Sequence, residues 1–194
     1  MLQEMRLRPL LLCVLSVVLA VPAALAPASA RSATKASEQR DNTFELGVMR
    51  EVNRLRAAHG LRTLTVSTSL QAAAAFQTRD MLDRGYFDHD QPGGASFGAR
   101  LKRFYPVNGA TWLVGENLFW SSAGITQVAA VKLWLASPPH RRNIFDPTWR
   151  EAGVGAFEME TPTGAFAAAN GPVIVVTMEF GTRSSSRTTS ATRH

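Results

Sequence analysis

The chain has 194 residues, is 45% hydrophobic and 19% charged, and carries a formal charge of +6 with a single cysteine. One cysteine excludes a disulfide framework, so a packed core must hold the fold. The positive balance favours anionic surroundings such as cell-wall polymers or lipid headgroups. The arginines are scattered, however, and no zinc-finger, RNA-binding or single-strand-binding pattern accompanies them, so nucleic acid is not an expected partner.

Residues 1–30 read as a secretion signal. Arg6 and Arg8 supply the positive start, 10–21 is an apolar run, Pro22 breaks it, and Ala28-Ser29-Ala30 offers small residues for cleavage. The expectation is export to an extracellular or periplasmic location, a mature chain starting near Arg31, and no membrane span once the signal is cut. The alternative is an uncleaved anchor, for which the stretch is long enough at about 20 residues. Cys13 follows the bulky Leu12 inside the apolar run, which argues against lipidation, and cleavage removes it. Residues 31–40 form a polar linker and 184–194 a basic tail, both too poor in apolar side chains to fold alone. One domain remains, 41–183, expected to act as a monomer.

Within it, Phe44, Val48, Val52 and Leu55 recur at helical spacing, with Asn42 or Thr43 as cap and Gly60 as stop. A second, alanine-rich helix starts at Ser67 or Ser69 and ends at Gly85. Pro92-Gly93-Gly94 marks a loop before a short helical piece over 96–104. A further helix over 127–137 puts Val128, Val131, Trp134 and Leu135 on one side. Pro138 and Pro139 end it, leaving His140 in a loop. The period then changes: 151–160 and 172–180 read as strands, the second β-branched enough to be central, and 111–120 holds another extended segment. Helices first and strands last predict an α+β domain on a mostly antiparallel sheet.

Four histidines are present. His59 sits at a helix end, where it suits the dipole and reads as structural, and His194 ends the tail. His89, in "FDHDQ", and His140, in "SPPHRRN", each follow a helix stop among hydrogen-bonding residues. Glu116 lies wedged between apolar residues in "WLVGENLFW", and buried carboxylates are rare unless paired. Such a set is able to bind a divalent ion or exchange protons with a ligand. Equally, Glu116 is able to hold both histidines in a purely structural network. "GASFG" matches a nucleophile-elbow pattern at Ser96, but a turn-rich stretch precedes it where a strand is required.

Four pieces in order resemble the CAP superfamily of cysteine-rich secretory, antigen 5 and plant pathogenesis-related class 1 proteins, in its bacterial form. They are "MREVNRLRAAHGLRTLTVSTSLQAAA", "YFDHDQPGG", "GENL" and "WLASPPHRRNIFDPTWREAGVG". The resemblance implies a three-layer α-β-α sandwich (SCP-like) whose cleft is lined in many members by two histidines and two acids that hold a divalent metal. It carries His89, Glu116 and His140 over as cleft residues and candidate ligands of zinc or another divalent ion. Asn117, Trp134 and Asn143 carry over as motif positions. Ser137 stands where many eukaryotic members place the second glutamate. Family members share no single reaction. The leading expectation is a secreted, non-enzymatic binding module for a hydrophobic or cell-envelope ligand. The alternatives are a metal-assisted hydrolase using His89, Glu116 and His140, and an envelope interaction protein whose polar network is only structural.

Overall fold

The computed structural model describes residues 38–107, 109 and 111–184. The expected signal, the linker up to residue 37 and the tail from 185 lie outside the described residues. Helix α1 (Asn42–Ala58) starts one residue ahead of the expected caps, because Asp41 Oδ1 accepts the N–H of Phe44 at 2.9 Å. Helix α2 (Thr68–Arg84) runs from Ser67 to Gly85, whose left-handed φ of 66° ends it. Helix α3 (Phe97–Phe104) follows Ser96, the residue of the nucleophile-like pattern, which here is only a helix cap position.

Helix α4 (Gln127–Ala136) buries Ala130, Val131 and Trp134. Val128, expected on that inner side, is 44% exposed, because the inward position of the first turns belongs to Ala130. The two prolines after Ser137 do not lead into a loop. They occupy the first positions of a new helix, α5 (Pro138–Phe145), and His140 stands in its first turn. The first helical positions need no N–H, and proline's fixed φ suits them. The pair that stops one helix therefore starts the next.

The strands are β1 (Glu38–Arg40), β2 (Thr65–Val66), β3 (Trp112–Ser122), β4 (Glu151–Met159) and β5 (Val173–Arg183). They form one sheet in the order β1-β4-β5-β3, antiparallel throughout, with β2 added parallel to β4. Strand β5 is central, as its sequence predicts. Strand β1 lies in the stretch expected to be linker. It pairs with Phe157–Met159 because Arg40 donates twice, at 2.8 and 2.9 Å, to the buried Glu45, which also accepts the Ala156 N–H. Paired polar groups hold it where apolar burial is missing.

Alternate residues of β4 and β5 face opposite layers. Val154, Ala156, Val176 and Met178 pack on α1, α4 and α5. Phe157, Val175 and their neighbours pack on α2, with α3 beyond it. This is the three-layer α-β-α sandwich, an α+β fold. Helix α2 lies directly on β4: a Cβ on Gly153 or Gly155 would come within 2.1 Å of Gln71 N or 2.4 Å of Ala75 N. Among the described residues no helix is long and apolar enough to cross a membrane.

Candidate functional site

Strand β3 is the last in the order, and its consecutive residues Glu116 and Asn117 point to opposite layers. Glu116 faces the α2–α3 side, directly across from Glu179 on β5. Both side chains are buried, so two carboxyls meet where charge is costly. Arg100, fully buried on α3, answers them. Its Nη2 donates to Glu116 Oε2 at 2.5 Å and to Glu179 Oε1 at 3.2 Å, and its Nη1 donates to the His89 carbonyl at 3.2 Å.

The other oxygen of Glu116, Oε1, lies 2.7 Å from His89 Nδ1. A carboxylate only accepts, so Nδ1 carries the hydrogen and Nε2 is left for a ligand. The His89 side chain is 51% exposed, which puts that nitrogen within reach of solvent. The bond to Glu116 holds the imidazole above its usual range, against the opposing effect of burial. Burial pushes the Glu179 carboxyl well above the usual carboxylate range, and the Glu116 charge adds to it. Glu179 Oε2 receives no N–H, which suits it to hold the proton.

On the opposite layer Asn117 Nδ2 donates to the His140 carbonyl at 3.0 Å. Asn143 Nδ2 donates to the Glu116 carbonyl at 3.0 Å and to Asn117 Oδ1 at 2.9 Å, while its own carbonyl accepts from Trp149 Nε1. Trp134, buried, donates from Nε1 to the Leu118 carbonyl at 3.0 Å and meets Phe119 edge-on. These motif residues therefore fasten α4 and α5 to β3. The His140 imidazole is held below its usual range, first by burial and then by the charge of His89. Glu116 binds the ring of His89, and Asn117 binds the backbone of His140. Ser137 closes α4 and opens α5 through its backbone, accepting from Arg141 N at 2.9 Å. Among the described residues its side chain makes no hydrogen bond to His89, Glu116 or His140.

Arg100 and Glu179 did not emerge from sequence reasoning. Glu179 had a signal, a charged residue inside an apolar central strand, of the same kind that exposed Glu116. His59 behaves structurally: Nδ1 is 2.8 Å from the Leu55 carbonyl and the ring packs on Phe145. Asp90 accepts the Phe97 N–H and Asp88 the Asp90 N–H, so both acids near His89 shape its loop. Among the described residues no cluster of three or more His, Cys, Asp or Glu side chains is gathered as a metal would require.

This sandwich, with an acid on its edge strand holding a loop histidine and an asparagine beside it holding a helix, is of the SCP-like class of domain. The chain belongs to the CAP, or cysteine-rich secretory protein, family, whose sequence model matches residues 49–176. It is 32% identical over 139 residues to the uncharacterized protein YkwD of Bacillus subtilis (strain 168), covering 70% of this chain and 52% of that protein. The chain thus spans about half the length of the curated relative it matches. Among solved structures it resembles an extracellular protein containing a SCP domain from Bacillus anthracis, with 26% identity and a TM-score of 0.56 over 74% of this chain and 41% of that one. An outer surface protein of Borrelia burgdorferi shares the fold at 19% identity and a TM-score of 0.60, over 77% of this chain and 99% of that one.

Proposed function

We propose that this chain is a secreted, non-enzymatic binding module that takes a hydrophobic or cell-envelope ligand at His89, with His140 as its neighbour across β3. The observation that carries the reading is the double engagement of Glu116. Arg100 holds one oxygen and His89 the other, which orients the imidazole with Nε2 outward. A ring fixed in this way presents one nitrogen to a partner without loss of rotational freedom on binding. The extracellular and outer-surface descriptions of two structural relatives agree with an exported chain.

The reading leaves out a metal. The donor set does not fit a dication: both Glu116 oxygens are engaged, and the Arg100 guanidinium already neutralises the carboxyl pair. It also leaves out nucleophilic hydrolysis, since Ser96 stands at the start of α3 with no base bonded to it.

The test is calorimetric titration of the purified chain with solubilised wall fragments and lipid vesicles, with zinc as a separate arm. A wall or lipid response that His89→Ala abolishes, in a variant that circular dichroism shows to be folded, is expected, and zinc should leave the melting curve where it was. Silence in both the wall and vesicle arms would defeat the reading, and a strong zinc response would defeat its metal-free form.

A further inference from the structure

Beside His89 lies a group of rings that the cleft reading does not use. Phe166 is fully buried and meets Phe87 edge-on at 6.2 Å and Trp120 edge-on at 5.7 Å. Phe87 is 38% exposed and Trp120 is partly exposed. Trp120 shares a face of β3 with Leu118 and Glu116, since side chains two apart point the same way. Glu116 and Leu118 are buried, at 5% and 4% exposure, so Trp120 is the residue of this row that reaches the surface.

Phe166 is locked in place by the chain around it. The short 3-10 turn Gly164–Phe166 docks on the end of α2, where Ala165 N donates to the Gly85 carbonyl at 2.9 Å. Gly85 and Gly164 both have left-handed φ values, 66° and 58°, and meet backbone to backbone. A Cβ on Gly164 would come within 2.3 Å of the Gly85 oxygen, so only glycine permits the contact. The turn-rich stretch between β4 and β5 thereby carries the ring on which Phe87 and Trp120 rest.

Resting on the proposed binding role of His89, we infer that the surface carrying the exposed side chains of His89, Phe87 and Trp120 is a binding platform for a sugar chain of the cell envelope. An aromatic face is electron-rich and attracts the weakly positive C–H face of a pyranose ring. A sugar's hydroxyl edge needs fixed polar groups, and the oriented His89 imidazole supplies one beside the rings. A lipid tail calls for apolar walls on several sides, whereas Phe87 and His89 are exposed side chains at the margin of the sheet.

The experiment uses N-acetylglucosamine tetramer as the probe, followed by NMR and calorimetry, with phosphatidylglycerol vesicles as a second arm. The tetramer is expected to shift the Trp120 indole N–H and the His89 ring signals. Phe87→Ala and Trp120→Ala should each weaken binding by about tenfold, and Trp120→Phe should keep most of it. Because Trp120 also packs on the core, Phe87→Ala serves as the variant least able to unfold the domain. Tetramer binding that ignores both alanine variants, or no tetramer binding at all, overturns the inference. If vesicles then bind in a His89-dependent way, the cleft reading stands alone; if vesicles and wall fragments also fail, both fall.

Discussion

Arg100 sits between two buried carboxyls and a backbone carbonyl. Removing one partner from such a set leaves the others buried without compensation, at a cost of about 3–5 kcal/mol. Arg100→Met should lower unfolding free energy by that amount in urea, and a loss below about 1 kcal/mol would contradict the role. Glu179 makes a second prediction with a definite sign. Its folded pKa lies well above the usual carboxylate range, so its contribution is full at or below that range and is lost as pH rises from there through the folded value. Stability should therefore fall with rising pH across that window, and Glu179→Gln, which mimics the protonated acid, should flatten the fall. Parallel slopes for the two proteins would refute the assignment. His89 and His140 act around the imidazole range, in opposite directions: stability from His89 is lost as pH rises, and stability limited by His140 is gained. Glu116 was legible as a buried acid from its apolar neighbours alone. Its partners were not, because Arg100 and Glu179 are brought to it only by the pairing of β3 with β5 and the packing of α3.

Among the elements, the long ones announced themselves. Helix α1 has clear spacing, α2 an alanine-rich side, both have glycine ends, and the β-branched run of β5 signalled a central strand. Strands β1 and β2 have three and two residues, too few to display a period, and tertiary bonds define them. Helix α5 was hidden because adjacent prolines signal a stop as readily as a start. The contact of α2 with β4 rests on glycines in the same literal sense. At Gly155 a methyl group would strike the backbone of Ala75, which has no side-chain freedom with which to yield. Gly155→Ala should therefore cost about 1–3 kcal/mol and reduce hydrogen-exchange protection along α2. Gly98, in α3 with open space around it, is the control. There the same change should be neutral or stabilise by about 0.5–1 kcal/mol, through helix propensity. Equal effects at the two sites would mean that α2 does not rest on the glycines.

For the molecule as a whole, the resemblance seen in four short motifs pointed to the layered sandwich and to its family. What it did not specify was the electrostatic interior, where an arginine sits between two buried carboxyls. The motif residues have a further effect at this scale. Among the described residues strand β3 has a neighbour on one side only, and an unpaired strand margin invites another chain to add itself. Two outward carbonyls on that margin, those of Glu116 and Leu118, already accept hydrogen bonds from Asn143 and Trp134. The side chains that mark the family thus also occupy the acceptors an intruding strand would use. Asn143→Ala should cost about 1–3 kcal/mol, and light scattering should show the variant associating at concentrations where the parent chain does not. A variant that stayed as dispersed as the parent would show that some other device protects the margin. On this account the sequence signature guards the protein against its own copies as well as assembling its site.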